Sequence, residues 1–468
     1  MTKNKQITTD AQLVHRKLDL LLQVGCYLMD CSADTTLIVR DMKRVEAYLG
    51  LDSQFLHVYI NYSVILVNYS DESTSYTRFR RCDRHAIDMA GITRVSHLTW
   101  DAIRYNYSLD EYQEKLDEIK KRPRYYTPWQ VATAAGFACG GFCIQFGCDW
   151  PAFFYASLAA ILGFRLRMFL GAKGANTYIC ICVGAFISTI VAWLSSFLSL
   201  NASIASLLPS FMLTNTPWHP LLACALFIVP GVPLINFVSD MLGGHIQTGL
   251  IRALNVFLMI VAMVFGIGFA IKVCGIDNFV RDLSMTPHHT YWEFAIAAAI
   301  SAMGFSTIFN TPKRLLPMIA IGGIIAVCNR NFVNLGPSTG NIGLDQGLII
   351  GSLAGSTLIS LICTMAMHWF HTPHQCLSIP SVIPMVPGVL MYRAVFAFVD
   401  MQGVVGEVTV GMHNFMLASL VILVIAIGVA IPNIFAHSML YSRRKIKLYR
   451  LLIQRKHMDI ENIDAKIQ

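Results

Sequence analysis

Two breaks in apolar sequence gather most of the polar side chains that could do chemistry. In IVPGVPLINFVSDML (228–242), Pro230, Gly231 and Pro233 interrupt an apolar run, and Asn236 and Asp240 follow them. In PMVPGVLMYRAVFAF (384–398), Pro387 and Gly388 do the same, followed by Tyr392 and Arg393. Proline donates no backbone hydrogen bond and glycine relaxes the backbone, so each break frees polar backbone groups. A helix restarting there presents the positive end of its dipole, which suits a carboxylate. The chemistry these residues offer is the binding and passage of a small charged solute.

Each polar group has two readings. Asn236 binds cargo or caps freed carbonyls; Asp240 titrates as a proton carrier or reaches the membrane interface. Arg252 and Asn255, one turn apart in the next apolar run, can face Asp240, although Arg252 also fits a simple positive flank. Arg393 is the one basic residue well inside its run and is expensive there without a partner. Its planar fork suits a cargo carboxylate, and Asp400 or a backbone carbonyl serves equally well. Glu293 and Asp345 sit at run boundaries.

Other clusters carry less. His368, His371, His374 and Cys376 in HWFHTPHQC have a spacing that a metal can use, but Pro373 disturbs helical geometry, so an inner-loop or proton-responsive role is expected. The 13 cysteines are scattered, with Cys139, Cys143, Cys180, Cys182, Cys328 and Cys363 inside apolar runs as small packing residues. No paired zinc spacing, phosphate loop or nucleophile elbow occurs, so neither a metal, a cofactor nor an enzymatic activity is expected.

These residues need a membrane around them. The 468-residue chain is 55% hydrophobic and 14% charged. Residues 1–128 hold 18 Lys/Arg and 17 Asp/Glu, 129–442 hold 10 and 8, and the last 26 residues hold 8 and 3. The positive excess therefore sits on the tail, which argues for a membrane flank and against nucleic acid. Runs of roughly 20 apolar residues match the thickness of the hydrocarbon layer. About ten spans are predicted, near 127–147, 150–170, 176–198, 219–241, 248–273, 292–310, 315–334, 345–370, 379–400 and 412–436. SIASLLPSFML (203–213) is too short to cross and reads as re-entrant or interfacial.

Residues 1–125 read as a cytosolic α/β domain. SADTT (32–36) offers N-cap side chains for LIVRDMKRVEAYLG, which Gly50 can end, and FLHVYI, SVILVNY and TSYTRFRR read as strands. The opening residues lack the apolar core of a signal peptide. With this domain inside, the inner loops carry Arg165, Arg167, Lys173, Lys313, Arg314 and the RRKIK tail, which places both termini in the cytoplasm. The expected fold is thus a polytopic α-helical membrane protein of the cell (inner or plasma) membrane. Its parts are 1–125, a first membrane half at 126–275, a second at 290–440 and a basic tail at 441–468. The two breaks lie five spans apart, so they run in opposite directions, as in two five-helix inverted repeats.

The same stretches carry a family likeness. PGVPLINFVSDMLGGHIQTGLIRALN (230–255), SADTTLIVRDMKRVEAYLG, TPKRLLPMIAIGGI (311–324) and PMVPGVLMYRAVF (384–396) resemble the threonine/serine exporter family over about 11–440. The more specific elements are PG-x-P-x-x-N and a later PG-x-x-x-Y. Some relatives keep the halves as separate subunits, and here they are fused. The resemblance implies export of threonine, serine or similar small amino acids, driven by the proton motive force. Two-component relatives point instead to dicarboxylates such as succinate, and a membrane-anchored hydrolase or sensor is the rival of another class. The partners implied are the cargo, protons and lipid, and self-association into a homo-oligomer stays open.

Overall fold

The computed structural model describes residues 2–70, 74–276, 289–337, 340–370, 372–399, 409–431 and 453, without the side chains of 2–10, 367, 368, 392 and 395–399. The tail at 441–468 therefore lies outside the described residues, apart from Ile453. So do Asp400 and His371, and the side chains of His368 and Tyr392.

The N-terminal region builds four helices and one sheet: α1 (Thr2–Asp30), α2 (Thr35–Leu49), β1 (Leu56–Ile60), β2 (Val64–Ser70), β3 (Ser75–Arg81), α3 (Met89–Arg104) and α4 (Leu109–Lys121). Local chemistry sets the boundaries. Asp34 caps α2 by accepting from Leu37 N–H at 2.9 Å, and Gly50 ends it at φ +63°, a left-handed value that glycine takes without strain. Ser108 and Glu111 close a capping box on α4. The sheet is antiparallel in the order β1-β2-β3. Ile65 and Val67 of β2 are fully buried, as are Leu18, Leu21 and Leu28 of α1, so strand alternation and helical spacing feed one core.

The remainder is helical: α5 (Pro128–Gln145), α6 (Trp150–Ala172), α7 (Thr177–Leu200), α8 (Ala202–Ala205), α9 (Pro220–Ala223), α10 (Gly231–Leu242), α11 (Ile246–Val273), α12 (Tyr291–Ile308), α13 (Leu316–Asn334), α14 (Leu348–Phe370), α15 (Gln375–Val382), α16 (Gly388–Val399) and α17 (Thr409–Ile431). Among the described residues, seven helices are long and apolar enough to cross a membrane, and Pro220–Ile228 with Gly231–Leu242 forms an eighth candidate bent by 56°. This is a polytopic helical membrane protein. In the 203–213 region only α8 and a 3₁₀ turn, Ser210–Met212, are helical, both too short to cross. The chain just after them is tied down: Asp149, the N-cap of α6, accepts from Thr214 Oγ1 and Asn215 N–H at 2.6 Å each.

α5 and α12 pack through matched small residues. A Cβ on Gly304 would lie 2.5 Å from the Ala134 carbonyl and 2.8 Å from the Ala138 Cβ. A Cβ on Gly141 would lie 2.7 Å from the Ala297 carbonyl and press on the Ser301 hydroxyl. Close backbone approach of this kind is how helices associate where lipid removes the hydrophobic drive. The correspondence is reciprocal: Ala134, Ala138 and Gly141 of α5 stand at the spacing of Ala297, Ser301 and Gly304 of α12. Both helices have 18 residues and begin with a capping box, Thr127/Gln130 and Thr290/Glu293.

Candidate transport pathway

The two breaks have the same local construction. In the first, a 3₁₀ turn (Leu226–Ile228) leads to Val229–Pro230, where Gly231 N–H turns back on the Val229 carbonyl at 2.8 Å and Leu234 N–H reaches Pro230 at 2.9 Å. In the second, a 3₁₀ turn (Ile383–Met385) leads to Val386–Pro387, with Gly388 N–H on Val386 at 2.9 Å and Met391 N–H on Pro387 at 3.1 Å. Pro233 stands in the first turn of α10, where its missing N–H leaves no intrahelical bond unmade.

The breaks also meet. A Cβ on Gly231 would lie 2.5 Å from Ile383 Cδ1, and one on Gly388 would lie 2.7 Å from Leu226 Cδ2. Leu226 and Ile383 stand at the same distance before their own glycines, so each break presses its glycine on the other's 3₁₀ turn. A narrow gap, with room for about one water, remains between them. Its walls pair off by half: Phe142 with Phe305, Leu226 with Ile383, Val229 with Val386, and Gly231 with Gly388. The space is apolar and flanked by the starts of α10 and α16, so a polar solute gains contacts there only from backbone groups or by rearrangement.

Further along α10 the surroundings become charged. Asp240 is fully buried, and its Oδ2 lies 2.9 Å from Arg252 Nε of α11, which is 3% exposed. A buried ion pair needs further partners to offset desolvation, and the N-terminal region supplies them. Thr35 N–H donates to Asp240 Oδ1 at 2.7 Å, and Arg252 Nη2 donates to the Ala33 carbonyl at 2.7 Å. Asn236 Nδ2 donates to the Ser32 carbonyl at 2.8 Å. The Arg252 guanidinium also lies 5.5 Å from the Tyr62 ring, and Tyr62 stacks on His85 at 3.8 Å. Burial, and after it the Arg252 charge, holds His85 below the usual imidazole range.

The structure thus brings Asn236, Asp240 and Arg252 together under the N-terminal region. Asp240 does not extend to an aqueous interface. Asn255 does not bond Asp240; it accepts from the Tyr178 hydroxyl at 3.2 Å and interacts with Tyr62, whose ring faces Arg252. Asn236 bonds a carbonyl of the loop before α2 instead of capping carbonyls freed at the break. Tyr392 and Arg393 lie on α16, Arg393 half-buried. His374 is buried beside Cys376 at the start of α15, and among the described residues no three His, Cys, Asp or Glu side chains gather as a metal group. The residues missed in sequence are Ser32, Ala33 and Thr35, which contribute backbone groups, and Leu226, Ile383, Phe142 and Phe305. Only the matched spacing of the two halves signals the latter set.

A second contact joins the N-terminal region to the other half. Met89 N–H donates to the Phe309 carbonyl at 3.0 Å, Asn310 Nδ2 to Asp88 Oδ1 at 2.8 Å, and Tyr125 N–H to Asn310 Oδ1 at 2.9 Å. The N-terminal region therefore rests on α10–α11 and on the α12–α13 connection at once.

Comparison with known families matches two successive stretches of the chain. Residues 19–274 match the threonine/serine exporter family model ThrE, and residues 294–435 match a second threonine/serine exporter model. The chain belongs to the threonine/serine exporter family. Within that family it is 20% identical to the probable threonine/serine exporter of Mycobacterium tuberculosis, over 93% of this chain and 79% of the relative. It is 24% identical to the threonine/serine exporter of Corynebacterium glutamicum, over 87% of this chain and 79% of the relative. The probable succinate transporter subunit YjjP of Escherichia coli is 28% identical over 56% of this chain and 96% of its own length. The family likeness extends to no solved structure at a significant level.

Proposed function

We propose that this exporter-family protein moves small amino acids such as threonine and serine out of the cell, driven by the proton motive force. The observation that carries the reading is the reciprocal seating of Gly231 on Ile383 and Gly388 on Leu226 in a chain of this family. Residues 126–275 and 290–440 act as inverted repeats, with α5 and the α15–α16 pair completing ten crossings. Matched packing of α5 on α12, and matched walls around the central space, support that symmetry. Cargo crosses between the two broken helices, at Pro230, Gly231, Pro233, Pro387 and Gly388. Asn236, Asp240, Arg252 and Asn255 line the inner approach, and Tyr392 and Arg393 serve the other. The N-terminal region, 1–125, and the tail, 441–468, lie on the cytoplasmic side of the cell membrane.

Export of a dicarboxylate such as succinate is the second reading, favoured by the likeness of the first half to the YjjP subunit. Cells loaded with a threonine-containing dipeptide, or with succinate, separate the two. Threonine release above a control strain, abolished by an uncoupler, is expected. Release of succinate alone establishes the second reading, and uncoupler-insensitive release removes proton coupling. Release of neither contradicts transport.

A further inference from the structure

The loop before α2 offers the membrane half a particular set of groups. Ser32 and Ala33 present carbonyl oxygens to Asn236 Nδ2 and Arg252 Nη2, and Thr35 presents an N–H to Asp240 Oδ1. Ser32 sits at φ +60°, a left-handed value unusual for a residue with a side chain, and the turn brings both carbonyls to one side. Two acceptors and one donor, a few ångströms apart, are also what an α-amino acid offers through its carboxylate and ammonium. The three side chains that grip the loop are 0–3% exposed, and Asn236 Oδ1 is buried without a hydrogen-bond partner. A buried acceptor left over is costly in a plain packing contact, but a hydroxyl on the ligand would satisfy it.

We propose that residues 32–35 occupy the site formed by Asn236, Asp240 and Arg252 as an internal competitor, holding the inner side closed until an amino-acid cargo displaces them. The inference rests on the transport reading and adds to it how the inner site is kept closed. The carboxylate takes Arg252 and the Asn236 amide, the ammonium takes Asp240, and the side-chain hydroxyl donates to Asn236 Oδ1. These bonds carry full charges where the loop offers only backbone dipoles, so the zwitterion wins the exchange. A dicarboxylate fails because its second carboxylate faces Asp240. Departure of the loop lifts the N-terminal region from α10, so binding and opening of the inner side become one event.

The test uses the full chain in detergent and radiolabelled L-threonine. Succinate and 3-hydroxybutyrate, which lacks the ammonium, should compete at least 10-fold more weakly than serine. A tether then tests the competitor. A Cβ on Gly243 would lie 2.9 Å from Thr36 Oγ1, a separation that suits a disulfide, and Gly243 has φ −77°, which any residue adopts. Oxidised Thr36→Cys/Gly243→Cys protein should lose threonine binding at least 10-fold and regain it on reduction, while oxidised wild type is unchanged. Wild type alone supplies a second readout that needs no variant. Cys31, adjoining the loop and 4% exposed, should react with a maleimide faster in threonine than in succinate. Equal binding in tethered and reduced protein, equal affinity for serine and succinate, or unchanged Cys31 labelling overturns the proposal. If wild-type cells export neither threonine nor succinate, the transport reading itself falls, and the site with it.

Discussion

The two broken helices are alike where they meet and unlike where they end. At the meeting point each contributes a proline, a glycine and a preceding 3₁₀ turn, and each glycine seats on the other's turn. Beyond it, α10 carries Asn236 and Asp240, while the same positions of α16 hold Arg393 and Ala397. Asp240 has a buried guanidinium against it and a loop of the N-terminal region over it. The shared part is backbone chemistry, which supplies interruption and close approach. The differing part is side-chain chemistry, which supplies charge, and it lies on the half that residues 32–35 cover.

The difference can be broken most forcefully at Asp240. Asp240→Ala leaves Arg252 buried without its carboxylate, a loss of about 3–5 kcal/mol. Thermal unfolding in detergent should show it as the largest single-site drop among the substitutions considered. A wild-type melting temperature would mean that the pair contributes little to the native state. Asn236→Ala comes next, because the Ser32 carbonyl loses its buried donor. About 1–3 kcal/mol is expected, together with faster proteolysis or hydrogen exchange around residues 30–36.

The likeness can be sharpened at the glycines. Gly231→Ala and Gly388→Ala each push a methyl against a side-chain end, and each should cost about 1 kcal/mol, the low end for overpacking. Ile383→Ala should relieve the first and Leu226→Ala the second, but not the reverse. Two coupling energies of the same size would support a two-fold relation, and relief in only one cycle would oppose it.

The smallest effect concerns Asp34, whose burial raises its carboxyl above the usual range, partly offset by its bond from Leu37 N–H and by Arg40 and Arg252. A folded-state value above the unfolded one means that the native state holds the proton more tightly. The associated stability is present below the unfolded pKa and is lost as pH rises through the folded one. Asp34→Asn still caps α2, so neutral-pH stability should change by less than about 1 kcal/mol. The variant should also show a flatter stability profile between acid and neutral pH. An unaltered profile would show that Asp34 does not contribute to it.

The breaks, the strands, the Gly50 stop and the membrane character were all legible from residue type and spacing, because each depends on local backbone preference or hydropathy. Asp240 and Arg252 were legible as a plausible pair, since both sit beside a short connection between consecutive helices. SADTT reads as a capping stretch and as part of the family likeness, and Asp34 does cap α2. The role of Ser32, Ala33 and Thr35 escaped because it is carried by backbone groups, which every residue has, in contact with side chains some 200 positions away. Helical spacing lets Asn255 face Asp240, but the Tyr178 hydroxyl of α7 and Tyr62 are its partners, so tertiary packing decides the contact. The reciprocal seating of the glycines depends on how two distant turns dock, which no local pattern specifies.

Transport by the purified protein tests the central claim most directly. In proteoliposomes with an imposed proton gradient, L-threonine should cross faster than in protein-free vesicles. Collapsing the gradient should remove the accumulation, and succinate should neither cross nor compete. Threonine movement no faster than in protein-free vesicles, or succinate transport in its place, would contradict the account.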